Sequence, residues 1–288
     1  NLFKYLLEKD TKKTIITASV KNDARIEMSS RHLKILEELP EKLGVFYMHN
    51  EEGKIIYIGK HKNIKKRVNQ LFTSLSKRDR YLQRHTYKVT YEETGNELIA
   101  TLKEIEVIQL NKPKCNSRNI HNSSEIVYIL SSHYNPQGYL CFSIELLATQ
   151  KEIITTFETQ SQAKSFLKKI TSEFELNEVD FNGEPVEIYN TRASKVLTKY
   201  GFWHQNVAIV DKGRRVGEKS VILLVDGQIK GYGFFHLNYQ LTQLVFLENI
   251  ITPLPNTLIN RHLLDQYLRT HPHIKVLNLK EQKPFHNE

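Results

Sequence analysis

Acidic residues all but vanish from one stretch of this chain. Between Lys54 and Lys88 stand eleven Lys or Arg and a single acid, Asp79, within a protein of net charge +9. Cysteine is scarce as well. Cys115 and Cys141 are the only two, and they form neither a C-x-x-C pair nor a disulfide framework, which suits a reducing, cytosolic setting. No apolar run approaches the roughly 18 residues needed to span a bilayer, so no membrane partner is expected. The first residues lack the layout of a secretory signal. The chain starts with Asn rather than Met, and is expected to belong to a longer one. Its histidines follow no ligand spacing of the HExxH or C-x2-C…H kind, which argues against structural zinc. Internal repeats and low-complexity tracts are missing too.

What is present fits a soluble globular protein of 288 residues, with two domains as the better expectation. Residues 1–40 read as a lead-in or linker, the possible end of an upstream domain, with a short helix from Ser30 or Arg31 to Glu38 before Pro40. "GVFYMHNEEGKIIYIG" then gives two strands around a turn at Asn50–Gly53. Asn63 is a good N-cap for an amphipathic helix, with Ile64, Val68, Leu71 and Phe72 on one face and Lys65, Lys66 and Arg67 off it. "YKVTYEE" reads as a third strand. Thr94-Gly95-Asn96-Glu97 fits a capping box that opens a helix whose Leu98, Leu102 and Ile105 face a core, closed by Asn111 and Pro113.

The predicted class is therefore α+β, a β-β-α-β-α module with a three-stranded antiparallel sheet over residues 41–122. A second α+β domain of unknown role follows over residues 123–288. In it, "EIVYIL", "GYLCFSIEL" and "IITTF" read as strands, Gln160 to Phe174 and Tyr189 to Tyr200 as helices, and "VAIVD", "SVILLVDG" and "GYGFF" as a meander. Thr257 to Leu268 and "IKVLNL" complete it. "GRRVGEKS", Gly213 to Ser220, has the wrong spacing for a phosphate loop and precedes a strand where that loop needs a helix. It reads as a hairpin loop.

A charge run by itself is usually a solvated helix face, but it is also the footprint of a polyanion site. Tyr57 ends a buried strand, Lys60 follows it, and Glu104 lies two turns along the same helix side as Glu97. Its rival Glu106 lies well round that helix. One carboxylate beside a basic cluster and a strand-end tyrosine suits metal-assisted phosphodiester hydrolysis. A metal withdraws charge from a phosphate oxygen, an arginine neutralises the developing phosphorane, and a phenol close to lysine is acidified enough to take a proton from water. Lys60 either lowers the phenol's pKa or contacts phosphate, and Gly59 leaves a bare backbone for a phosphate to approach. Lys62, Lys65 and Lys66, with Lys77, Arg78, Arg80 and Arg84 of "SKRDRYLQR", are candidate contacts to a nucleic-acid backbone.

Gly44-Val45-Phe46 and Tyr57-Ile58-Gly59, one hairpin apart, resemble the signature tripeptides of the GIY-YIG endonucleases. "YIGKHKNIKKR" resembles that family's YIGK-x6-R pattern, which implies a functional arginine at Arg67. "ELIATLKEIEVIQLNKPKCN" is similar to the helix and P-x-x-N in the N-terminal nuclease half of the excinuclease C proteins, which implies a metal-binding glutamate at Glu104 and a functional asparagine at Asn116. The resemblance implies catalysis by Tyr57, Lys60, Arg67 and Glu104 with one Mg²⁺ or Mn²⁺ ion on DNA. It covers residues 41 to about 120 in five separated elements. Closer still, the chain is similar to the C-terminal part of bacterial proteins that join a DNA polymerase III epsilon-type exonuclease to a GIY-YIG module. The exonuclease's acidic motifs are not seen here, and such a domain is expected before residue 1.

Two departures stand out. Phe46 replaces the family's usual tyrosine, with Tyr47 beside it facing the other side of the strand, and Leu71 stands where excinucleases often have tyrosine or histidine. The cysteine cluster, second nuclease domain and helix-hairpin-helix of full-length excinuclease C proteins are missing, so dual incision is not expected. The expectation is a cytoplasmic, nucleoid-associated DNA endonuclease making structure-selective single-strand incisions in repair or replication. Its alternative is an inactive or weak DNA-binding module guiding an attached or partner exonuclease. An RNA-directed nuclease is a third reading.

Overall fold

The computed structural model describes residues 29–116, 128–147, 153–176, 184–202, 205–236 and 244–279. The expectations for residues 1–28 and for a boundary near residue 122 lie outside the described residues. In chain order the first elements are α1 (Ser30–Glu38), β1 (Gly44–His49), β2 (Ile55–His61), α2 (Ile64–Thr73), α3 (Lys77–His85), β3 (Lys88–Glu93) and α4 (Glu97–Asn111). A 3-10 turn, Lys114–Asn116, ends this region.

The three strands form an antiparallel sheet in the order β2-β1-β3. The hairpin closes as expected, with Gly53 at positive φ and the Lys54 N–H donating to Asn50 Oδ1 at 2.8 Å. Because side chains alternate along a strand, Phe46 and Met48 of β1 pack with α1 and α2, while Val45 and Tyr47 pack under α4. Phe46 is fully buried, and Leu71 is only 1% exposed. The two departures from the family pattern are thus core residues. Ile35, Leu36 and Leu39 of the expected lead-in belong to the same core as Phe46.

The structure adds one helix to the expected order. α3 spans Lys77–His85 behind an N-cap at Ser76, whose side chain accepts from the Asp79 N–H. Only Leu82, Gln83 and Asp79 of it are buried, so four cations hide its apolar signal. The expected capping box is also replaced. Asn96 is the N-cap of α4 and accepts from the Ile99 N–H, while Glu97 pairs with Lys62 at 2.9 Å.

The second half holds two sheets. β4 (Tyr128–Tyr134), β5 (Leu140–Leu146) and β6 (Ile153–Phe157) form one in the order β5-β4-β6, packed by α5 (Gln160–Glu173) and α6 (Val186–Tyr200). β7 (Val207–Lys212), β8 (Lys219–Val225), β9 (Gln228–Phe235), α7 (Leu244–Ile250), β10 (Ile251–Pro253), α8 (Leu258–Thr270) and β11 (Lys275–Asn278) complete the described chain. Their strands form a five-stranded sheet in the order β10-β9-β8-β7-β11. The stretch read as a false phosphate loop joins β7 to β8, as expected of a hairpin loop.

α4 belongs to both halves. Leu98, Ile99 and Leu102 are buried against the five-stranded sheet beside Val207, Ile222 and Leu264, while Ala100 and Ile108 face the small sheet. Ile105, expected in a core, is only half-buried. Asn96 Nδ2 donates to Lys212 O at 3.2 Å and to Ser220 Oγ at 2.8 Å, binding the start of α4 to the second sheet.

Candidate active site

β2 is an edge strand, so alternate backbone groups point away from β1 and need partners. The chain supplies them from the end of the module. The Ile58 N–H donates to Asn116 Oδ1 at 2.9 Å, and Asn116 Nδ2 donates to Ile58 O at 2.7 Å. Two residues on, the Lys60 N–H donates to Glu104 Oε1 at 3.1 Å. The free edge of β2 therefore fixes a carboxylate beside the Tyr57-Ile58-Gly59 tripeptide.

Tyr57 is 5% exposed. Arg78 of α3 lies over its ring at 5.4 Å, and the charge of Arg67 on α2 also acts on the phenol. Tyr57, Arg67, Arg78 and Glu104 thus come together from four elements, with Gly59 and Lys60 alongside. The sequence reading placed Arg78 only among backbone contacts. Nothing in its spacing separates it from Arg80 or Arg84, because the helix that aims it was not legible.

The direction of the phenol's pKa is a correction. Burial raises it, with Arg78 and Arg67 pulling the other way and Glu104 adding to the rise. Lys60 is exposed and acts on Glu104 instead. Tyr57 is therefore protonated at neutral pH, without the acidification by Lys60 that the sequence reading expected. Burial likewise raises the Glu104 carboxyl, against the pull of the Lys60 charge and its N–H.

Asn116 was expected at the nucleic-acid face. It is 1% exposed and both ends of its amide are engaged by Ile58, so it holds the strand rather than meeting a phosphate. Gly59 has a packing reason as well: a Cβ there would stand 2.8 Å from Phe46 Cζ and 3.0 Å from Tyr57 Cε1. Lys62 is exposed and paired with Glu97. Lys66, Lys77, Arg80 and Arg84 are exposed and Lys65 half-buried, spread over α2 and α3. Asp79 holds Arg78 at 2.9 Å. Burial works to raise the Asp79 carboxyl, but hydrogen bonds from Ser74, Ser76 and Arg78 outweigh it and leave the group ionised.

Among the described residues no group of three or more His, Cys, Asp or Glu side chains could hold a metal ion. A lone half-buried carboxylate still fits a hard divalent cation. Mg²⁺ keeps several waters and is commonly bound through one or two carboxylates plus phosphate oxygens. It would also offset the negative charge that burial disfavours at Glu104.

The chain is similar to known proteins over this region. The family described as the UvrC-like GIY-YIG domain matches residues 42–117. UvrABC system protein C of Methanosphaera stadtmanae is 28% identical over 149 residues, 50% of this chain and 24% of that protein. Its namesake from Acetivibrio thermocellus is 40% identical over 84 residues, 28% of this chain and 13% of that protein. The chain thus spans about a quarter or less of these relatives' length. A solved structure, the GIY-YIG N-terminal endonuclease domain of UvrC from Thermotoga maritima bound to magnesium, is 26% identical, covering 31% of this chain and 99% of that one, with a TM-score of 0.29.

Proposed function

We propose, from the match of residues 42–117 to the UvrC-like GIY-YIG domain family, that the protein is a metal-dependent DNA endonuclease. It makes single-strand incisions selected by DNA structure during repair or replication-linked processing. One observation carries the reading. A buried phenol, two arginines and one carboxylate converge at the free edge of β2, next to a surface of exposed cations.

Glu104 would hold one Mg²⁺ or Mn²⁺ ion, which when bound supplies Lewis-acid withdrawal of charge from a phosphate oxygen. The remaining work belongs to the chain. Arg67 and Arg78 present planar, permanently charged donors where negative charge grows on the phosphorus oxygens. Tyr57, kept protonated, orients the attacking water or a phosphate oxygen by hydrogen bonding. Lys60, Lys65 and Lys66 on one side, and Lys77, Arg80 and Arg84 on the other, hold the strand by its backbone. Such contacts position DNA without reading bases, which is why structure rather than sequence selects the cut.

The test is cleavage of end-labelled single-stranded, duplex, bubble and flap DNA with Mg²⁺, Mn²⁺ or chelator. Metal-dependent cuts at a junction, stronger than in plain duplex, are expected. Tight salt-sensitive binding with no cut under either ion would favour the DNA-holding module instead.

A further inference from the structure

Three lysines stand near one end of the five-stranded sheet and line a cleft together with the start of α4. Lys212 closes β7, Lys219 opens β8 opposite it, and Lys275 opens β11 on the other side of β7. Because the three strands are neighbours in antiparallel order, Lys212 and Lys219 stand side by side at one end of the sheet, and Lys275, opposite Val210, lies two residues in from Lys212. All three are exposed. Lys212 and Lys219 are direct cross-strand partners, an arrangement of like charges that destabilises a sheet unless something neutralises it. His271 and His273 of the segment after α8 join them in lining a cleft of about 910 Å³.

The opposite wall of that cleft is the start of α4, at Gly95, Asn96 and Glu97. Two acids line it, and both are engaged. Glu97 is paired with Lys62, and Asp211 accepts the Tyr267 hydroxyl at 2.8 Å and the Lys212 N–H at 2.7 Å. The cleft lies at the start of the helix that carries Glu104. Glu97 lies two turns before Glu104 on α4, and Lys60 and His271 both act electrostatically on Glu97. The bonds from Asn96 to Lys212 O and Ser220 Oγ fix the two walls to each other. A cationic cleft held in register with a nuclease site fits the continuation of the substrate bound there.

We propose that Lys212, Lys219 and Lys275, with His271 and His273, grip the phosphate backbone of the DNA beyond the cut, so that the second half of the chain is the far part of the nucleic-acid interface. This deepens the nuclease reading and rests on it. Three exposed lysines neutralising phosphates release their counterions, which sets how binding depends on salt.

The test compares the protein with its Lys212→Gln/Lys219→Gln/Lys275→Gln variant, using fluorescein-labelled duplexes and flaps, short and long, by anisotropy over a range of NaCl. For long DNA the variant should bind about tenfold or more weakly at low salt, with the slope of log K against log salt shallower by about 2–3. For DNA too short to reach the second sheet the two proteins should bind alike. Equal melting temperatures report that the variant is folded. Equal affinity and equal slope on long DNA, with the unsubstituted protein cutting normally, would overturn the role of the three lysines alone. An unsubstituted protein that neither binds nor cuts any DNA would overturn the nuclease reading and this inference together.

Discussion

Glu104 and Asn116 occupy successive places on one free strand edge. Asn116 closes on both polar groups of Ile58, and Glu104 accepts the Lys60 N–H two residues further along β2. The edge that would otherwise invite another strand instead positions the metal-binding candidate and keeps Tyr57 between α2 and α3.

Asn116→Ala should therefore act on stability before chemistry. It leaves the Ile58 N–H and C=O without partners inside the protein, a loss of about 2–5 kcal/mol. Urea unfolding checks this, with the midpoint falling and the slope unchanged. Asn116→Asp should be nearly as harmful, since its carboxylate meets the Ile58 carbonyl oxygen. Wild-type stability in both variants would contradict the clamp.

Gly59→Ala puts a methyl group against the fully buried Phe46 ring and the edge of Tyr57. Overpacking of this kind costs about 1–3 kcal/mol, and Tyr57 has to move. Adding Phe46→Leu should recover stability by freeing the space. A Gly59→Ala protein as stable as the parent, with no gain from the second change, would place the glycine's role elsewhere.

The parts legible in the sequence were those that local rules govern. Asn63 caps α2 as its residue type predicts, accepting from the Lys66 N–H at 2.8 Å, and Ile64, Val68, Leu71 and Phe72 form the buried stripe. The Asn50–Gly53 turn and both signature tripeptides fall where periodicity and resemblance put them. α3 was hidden because its Lys, Arg and Asp residues leave Leu82 nearly alone as an apolar marker. The role of Arg78 was hidden with it, since a residue aimed across a fold has no local signature. The same holds for Asn116, whose partner lies 58 positions earlier. Asn96 read as part of a turn, yet it caps α4 and joins that helix to the second sheet.

Arg78 and Arg67 should prove to be partners at the phosphate. Arg78→Ala and Arg67→Ala should each lower turnover by about 10²–10³-fold, the range for removing one donor to a developing charge. DNA affinity should fall far less in either. Equal losses in turnover and binding would assign them to backbone holding, along with Lys77 and Arg80.

Acid sensitivity should appear at the β7–β8 loop. Glu218, 3% exposed, accepts the Arg214 N–H and Nη2–H, each at 2.6 Å. The bonds from Arg214 hold its carboxyl near pKa 2, below the ordinary 4.5. A lowered carboxyl contributes stability above pH 4.5 that is lost as pH falls toward 2, up to about 3 kcal/mol. Glu218→Gln should therefore lower stability near neutrality and flatten its dependence on pH within that window. Parallel pH profiles for the two proteins would contradict the assignment.

The most direct measurement is cleavage of an end-labelled flap substrate by the protein and by Glu104→Gln, with and without Mg²⁺, alongside their melting temperatures. The unsubstituted protein should cut only with the ion. Glu104→Gln should still bind DNA, should melt no lower because a partly desolvated charge has been removed, and should not cut. Wild-type cleavage by Glu104→Gln, or undiminished cleavage by the protein in chelator, would contradict a carboxylate held at the edge of β2 for metal-assisted hydrolysis.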